Sequence, residues 1–185
     1  TYVYGNKKGI FTENDEPNPT SYYGMTKYKA EKLVENSGLP YLILRTDQPY
    51  CWIEKWHKDN SVTRAIKTLR KNEVLKEVRD WSNVPTYVPD FINVTKSLLE
   101  NLKEGIFNVT GAEYIDRYSW ALATANIFGL EKKMIKTITS KELELPVIRD
   151  NANVSNQKIV KETGIHMKNV KEGLSDMLKL YKSTL

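Results

Sequence analysis

Apolar residues along this chain fall into short clusters whose spacing switches between strand and helix periods. Thr1-Tyr2-Val3-Tyr4 is β-rich and reads as a strand. Residues 5–20 carry Gly, Asn, Asp and Pro and read as a loop. A helix is expected from about Ser21 to Asn36. Pro17 and Pro19 prevent an earlier start, Thr20 or Ser21 can cap its free N–H groups, and Gly38 stops it. Tyr41 to Thr46 is a continuous apolar run of strand length, as in a parallel strand covered on both faces. Strand, helix and strand in this order make a βαβ unit.

Beyond Thr46 the pattern changes. Residues 47–59 are irregular, with aromatics at Tyr50, Trp52 and Trp56. Val62, Ala65, Ile66 and Leu69 share a helical face within about Asn60–Lys71. A strand from Val74 to Val78 leads into the loop Arg79–Tyr87. Asp90 is expected to cap a helix running to about Leu102, and Ile106–Gly111 reads as a strand ending in a turn. Asp116 caps a further helix stopped by Gly129, Met134–Ile138 reads as a strand, and amphipathic helices are expected over 156–163 and 170–182. There are no internal repeats and no low-complexity segments. The alternation of strands and helices predicts an α/β fold.

Composition narrows the class. With 185 residues, 40% of them hydrophobic and 28% charged, the chain can build one domain with a core, or one domain and part of another. The single Cys51 excludes an internal disulfide and a Cys-built metal site, which suits a reducing, cytoplasmic setting. His57 and His166 have no metal-ligand spacing, so no metal is expected. No apolar run is long enough to span a membrane. The formal charge of +5 reads first as a lysine-rich solvated surface, with attraction for a polyanionic ligand such as a nucleotide diphosphate as the functional alternative. The lysines are scattered among glutamates, which argues against nucleic acid.

The chemistry concentrates in Pro19-Thr20-Ser21-Tyr22-Tyr23-Gly24-Met25-Thr26-Lys27. Residues four apart stack on one helix face, so Tyr23 and Lys27 place a phenol beside an ammonium. The positive charge favours phenolate and draws the phenol towards a useful general acid. Spacing alone does not select this pair. Eleven Tyr and 22 Lys yield about one Tyr-x-x-x-Lys by chance, and the chain holds three: Tyr4/Lys8, Tyr23/Lys27 and Tyr28/Lys32. Tyr4/Lys8 runs into a Gly-Asn turn, and Tyr28 lies about 140° round the helix from Tyr23. Context favours Tyr23/Lys27.

Ordered motifs then accumulate. Thr1–Gly5, Phe11–Pro19, Tyr23-Gly24-Met25-Thr26-Lys27 with Glu31, Leu44-Arg45-Thr46, Pro85-Thr86-Tyr87 leading into Asp90, Gly105–Gly111, and Arg149 with Val154 and Lys158 follow one another over nearly the whole chain. Together they resemble the extended short-chain dehydrogenase/reductase family, most closely its dTDP-4-dehydrorhamnose reductases. The resemblance implies the later part of a Rossmann-type parallel sheet over residues 1–55, carrying Tyr-x-x-x-Lys. Over 56–185 it implies a small C-terminal α/β domain that grips a nucleotide-diphosphate sugar, with some segments returning to the main sheet. It implies NADP or NAD as cofactor. It further implies that Tyr23 is the proton donor and that Lys27 lowers its pKa and hydrogen-bonds the nicotinamide ribose. By the same resemblance Arg45 and Thr46 are expected next to the cofactor. Thr1, Gln48, Arg79, Trp81, Thr86 and Arg149 stand at the substrate, the two arginines as diphosphate clamps.

The chain departs from the family in three places. None of its nine glycines forms the Gly-rich phosphate turn that a pyrophosphate site needs at a helix N-terminus. The family's catalytic Ser or Thr falls just before Thr1, which itself stands where many relatives have Asp. Arg45-Thr46-Asp47-Gln48 replaces Arg-Thr-Ser-Trp. The expectation is therefore a fragment lacking the N-terminal dinucleotide-binding half, about 100 residues, and inactive by itself. A strand at Thr1–Tyr4 without its neighbour would be an open edge, and a homodimer would cover it. A nucleotide-sugar epimerase or dehydratase, or a non-catalytic binding or regulatory member of the family, stands as the alternative.

Overall fold

The computed structural model describes residues 1–5, 9–54, 56–143 and 151–183, the side chains through Leu180. Strand β1 (Ile10–Phe11) precedes helix α1 (Tyr22–Glu35), strand β2 (Leu42–Arg45), strand β3 (Pro49–Tyr50) and helix α2 (Ser61–Arg70). Strands β4 (Leu75–Val78), β5 (Ser82–Asn83) and β6 (Thr86–Tyr87) lead to helix α3 (Val88–Glu100). Strands β7 (Gly105–Asn108) and β8 (Ile115–Asp116), helix α4 (Arg117–Phe128), strands β9 (Ile135–Ile138) and β10 (Asn153–Val154), and helices α5 (Gln157–Thr163) and α6 (Val170–Ser183) complete the order.

Local signals placed most of these elements. Ser21, not Thr20, caps α1: its Oγ accepts from the Gly24 N–H at 3.0 Å. Asn60 caps α2 with its side chain, and Asp116 caps α4 by accepting from the Ser119 N–H at 2.8 Å. Gly129 ends α4 at φ 64°, a left-handed position glycine takes without strain.

Asp90 is a correction. Helix α3 starts at Val88, because Pro89 needs no N–H partner in a first turn, so Asp90 lies inside the helix. Its buried carboxylate instead accepts from the backbone N–H and Nζ of Lys168, at 2.8 and 2.7 Å.

The expected strand at Thr1–Tyr4 is also corrected. These residues form a turn in which the Tyr4 N–H donates to the Thr1 carbonyl at 3.1 Å. A strand would send Val3 and Tyr4 to opposite faces. The turn buries both against Phe11, Ala152 and Val154. The βαβ unit therefore loses its first strand, and with it goes the open edge that suggested a homodimer. Strand β2 keeps its parallel character by pairing with β7, Leu42 opposite Gly105 through Arg45 opposite Asn108. Its apolar residues are half-buried rather than fully enclosed.

Among the described residues, the ladders β1–β10, β2–β7, β3–β6 and β4–β9 are parallel, and β5–β8 is antiparallel. Parallel strands joined through helices make this a mixed α/β fold. Helices α3 and α5 cover the β2–β7 ladder with Val94, Leu98, Phe107, Val109 and Ile159. Helices α2 and α4 cover β4–β9 with Ala65, Leu69, Leu75, Ala121, Ala125 and Ile135. A third cluster, around Tyr50, Ile66, Tyr87, Trp120, Leu174 and Met177, joins α2, α4 and α6.

Candidate active site

Tyr23 occupies the first turn of α1, half of its surface open to solvent. Its ring meets Tyr2 edge-on at 5.4 Å, and Lys27 Nζ lies 5.4 Å from its centroid. Gly24 makes this approach possible. A Cβ there would stand 2.5 Å from the Tyr2 carbonyl oxygen and 2.9 Å from Pro19 Cβ. Residues 1–4 thus pack directly on the helix turn that carries the phenol.

The other two Tyr-x-x-x-Lys pairs sit in different surroundings. Tyr28 packs against the Val3–Tyr4–Phe11 cluster, and Lys32 pairs with Glu35 at 2.6 Å. Tyr4 is buried, with its hydroxyl donating to Asn108 Oδ1 and accepting from Arg45, both at 2.7 Å. Burial pushes the Tyr4 phenol up, although the Arg45 charge works the other way. Lys8 lies outside the described residues.

A continuous chain of contacts runs from residue 1 to the segment before α3. The Thr1 nitrogen donates to the Thr46 carbonyl at 2.9 Å. The Thr46 hydroxyl donates to Thr86 Oγ1 at 3.1 Å. Asp47 is buried and accepts from the Val84 N–H at 2.9 Å, and burial pushes its carboxyl up from the ordinary carboxylate range. Gly111 closes this wall from beneath, since a Cβ there would stand 2.0 Å from the Pro85 carbonyl oxygen.

Gln48 follows with φ 38°, a strained value for a residue with a side chain. Its Oε1 accepts from Arg117 Nη1 at 3.1 Å. Arg117 is buried and also donates to Ser61 Oγ at 2.6 Å and to Glu77 at 3.4 Å. Its guanidinium lies over the rings of Trp81, at 5.2 Å, and Trp120, at 5.5 Å. Arg64 supplies Glu77 with a second cation.

The residues singled out from the sequence therefore separate. Tyr23, Lys27, Thr1 and Thr46 lie along one connected stretch. Gln48 and Trp81 join a second group through Arg117. Arg79 lies apart, 4.6 Å over the Tyr118 ring on α4. Arg45, Trp81 and Thr86 are inside the protein rather than on an open surface. Arg45 forks onto Glu31 at 2.9 and 2.6 Å, tying β2 to α1. Arg149 lies outside the described residues.

Sequence reasoning missed Arg117 and Glu77, and it singled out Asp47 only as a departure from the family, without a role. Glu77 stands in β4 between Lys76 and Val78, two residues after Leu75 and buried like it, and a carboxylate in such a place requires a cation. Among the described residues no group of acidic, His and Cys side chains could hold a metal, and no helix is long and apolar enough to cross a membrane.

With this geometry in place, comparisons with known proteins are informative. The sequence pattern of the RmlD substrate binding domain matches residues 1–183. The β subunit of methionine adenosyltransferase 2 from Rattus norvegicus is 29% identical over 144 residues, covering 75% of this chain and 43% of that protein. A dTDP-4-dehydrorhamnose reductase from Aggregatibacter actinomycetemcomitans is 29% identical over 129 residues, 66% of this chain and 42% of that protein. The crystal structure of a Bacillus anthracis dTDP-4-dehydrorhamnose reductase in complex with NADP superposes with a TM-score of 0.87 at 21% identity, over 97% of this chain and 63% of that one. The chain thus spans less than half the length of these two curated relatives.

Proposed function

This chain belongs to the RmlD substrate binding domain family, and from that premise we propose that it carries the proton donor and sugar-binding part of an NAD(P)-dependent reductase acting on a nucleotide-linked 4-keto sugar. The observation that carries the reading is the Tyr23–Lys27 pair at a capped, half-open helix turn, held by residues 1–4.

The fit to a nicotinamide dinucleotide is partial. Tyr23 and Lys27 are exposed and can meet a ribose and a carbonyl oxygen. The Gly-rich turn for the pyrophosphate is not among these 185 residues. The reading therefore assigns that cradle to a dinucleotide-binding part outside this sequence, and the chain alone is inactive. When bound, the nicotinamide supplies the hydride. Everything else falls to the protein. As hydride reaches the carbonyl carbon, the oxygen gains charge, and the Tyr23 hydroxyl donates its proton to it. The phenolate that remains is stabilised by the Lys27 ammonium. Thr46 and Thr1 adjoin the stretch that carries Tyr23, Arg45 and Thr86 hold it from within, and Gln48, in the group around Arg117, is assigned to the substrate in this reading. Arg79 and Arg149 are the diphosphate contacts in this reading.

The test is turnover of a dTDP-4-keto-6-deoxy sugar by the protein with its dinucleotide-binding part present, followed by loss of reduced-nicotinamide absorbance. The expected result is consumption that depends on the sugar. Binding of the nucleotide sugar without any turnover would favour the non-catalytic alternative, and neither binding nor turnover would end the proposal.

A further inference from the structure

Arg45 closes strand β2 with all three guanidinium nitrogens committed inside the protein. Nε and Nη2 donate to the two carboxylate oxygens of Glu31 at 2.9 and 2.6 Å, and Nη1 donates to the Tyr4 hydroxyl at 2.7 Å. The guanidinium also lies 4.8 Å over the Tyr4 ring, and the Arg45 side chain is 4% exposed. One arm of this fork ends on α1, a turn beyond Lys27. The other ends on residues 1–4, whose contacts lead back to the same helix. The Tyr2 ring meets Tyr23 edge-on, and the Tyr2 carbonyl lies against Gly24. The Tyr4 hydroxyl is fixed from its far side by Asn108 Oδ1 at 2.7 Å, and Asn108 stands opposite Arg45 in the β2–β7 ladder. Tyr23 itself is 55% exposed, so burial does not fix its ring, and the Tyr2 edge and Lys27 flank it.

We propose that Arg45 is a positioning residue for the proton donor: by holding Glu31 and Tyr4 at once, it keeps residues 1–4 seated on α1 and the Tyr2 ring set against Tyr23. This rests on the functional reading above, which gives Tyr23 the proton transfer. The role is exerted from inside the protein, without contact to cofactor or substrate. Its chemistry selects arginine. A lysine ammonium cannot present parallel donors to both oxygens of a carboxylate and a further donor to a phenol on another segment from one rigid plane. An edge-to-face ring pair is directional. A slide of residues 1–4 therefore changes the direction of the Tyr23 phenol without removing it. A general acid turned away from its carbonyl oxygen loses rate and not affinity, because the proton moves only in the transition state.

Two readouts test this. In the 185-residue chain, nuclear Overhauser contacts between the Tyr2 and Tyr23 rings are expected in the parent and are expected to disappear in Arg45→Lys. With the dinucleotide-binding part present, Arg45→Lys is expected to lower kcat for the 4-keto sugar nucleotide about 10- to 100-fold, the scale of a misplaced reacting group, with KM near the parent value. In a Tyr23→Phe background the same substitution is expected to cost nothing further, because both act through one phenol. A general loss of folded protein would instead lower both backgrounds alike. Tyr4→Phe removes one arm of the fork while keeping the ring, and carries the same expectations should Arg45→Lys fail to fold. Ring contacts that are absent from the parent or persist in both variants, an equal kcat loss with and without Tyr23, or a loss confined to KM overturns the inference and leaves the reductase reading intact. A parent protein without turnover overturns the reductase reading, and the ring contacts then decide the positioning by themselves.

Discussion

The methyl group that Gly24 lacks is what lets Tyr2 reach Tyr23. Adding it in Gly24→Ala sets a Cβ against a backbone carbonyl at 2.5 Å, so the turn or residues 1–4 must shift. The expected cost is about 1–3 kcal/mol, as for other overpacked sites, read as a lower midpoint in thermal unfolding. A variant as stable as its parent would show that this contact is not tight. Individual residues were legible in the sequence where their chemistry acts locally. Ser21, Asn60 and Asp116 cap helices through bonds two or three residues away, which local pattern can identify. Arg117 was not legible, because its partners Gln48, Ser61 and Glu77 lie 40 to 69 residues away along the chain. Asp90 misled for the same reason: its carboxylate serves Lys168, 78 residues on, rather than its own helix.

Helix α1 is unusual among the elements. Gly24 is its single buried residue, and Tyr22 and Leu33 are exposed. Its attachment to β2 rests on the fork between Arg45 and Glu31, whose side chains are 4% and 11% exposed. Removing Glu31 strands the Arg45 charge inside the protein. Glu31→Ala is therefore expected to destabilise by roughly 3–5 kcal/mol, the scale for breaking a buried pair from one side, as measured in denaturant unfolding. Replacing both residues by apolar ones is expected to cost clearly less than Glu31→Ala. A loss below about 1 kcal/mol in Glu31→Ala, typical of a surface pair, would contradict this placement. The period of an element was readable, and α1, α2, α4 and β2 stand close to where the pattern put them. The two-residue strands β1, β3, β5, β6, β8 and β10 were not, because so short a ladder is made by its partner and not by its own periodicity. Thr1–Tyr4 has strand composition, yet packing on Phe11 and Val154 overrode propensity there.

Across the molecule, buried phenols link stability to alkaline pH. Burial raises the pKa of Tyr50 well above the ordinary tyrosine range, with the Asp90 carboxylate adding to it, and burial raises Tyr4 as well. A group with a raised folded pKa holds its proton longer in the folded state than in the unfolded one. Stability is then intact below the unfolded value of about 10 and falls as pH rises beyond it, by up to roughly 1.4 kcal/mol per pH unit for each phenol. Tyr50→Phe is expected to make this alkaline loss shallower in thermal melts between about pH 9 and 11. An unchanged slope would exclude Tyr50 as a source. At this scale the sequence was informative through the order of its motifs, and the α/β class and family membership both stand. The catalytic assignment turns on one comparison between two tyrosines of one helix. Tyr23 is half-open beside Lys27, and Tyr28 packs on the Tyr4 cluster. With the dinucleotide-binding part present, steady-state turnover of the 4-keto sugar nucleotide is expected to fall about 100-fold or more in Tyr23→Phe, the scale of a lost general acid, and to stay near the parent value in Tyr28→Phe. Unchanged turnover in Tyr23→Phe, or a larger loss in Tyr28→Phe, would contradict the assignment of Tyr23 as the proton donor.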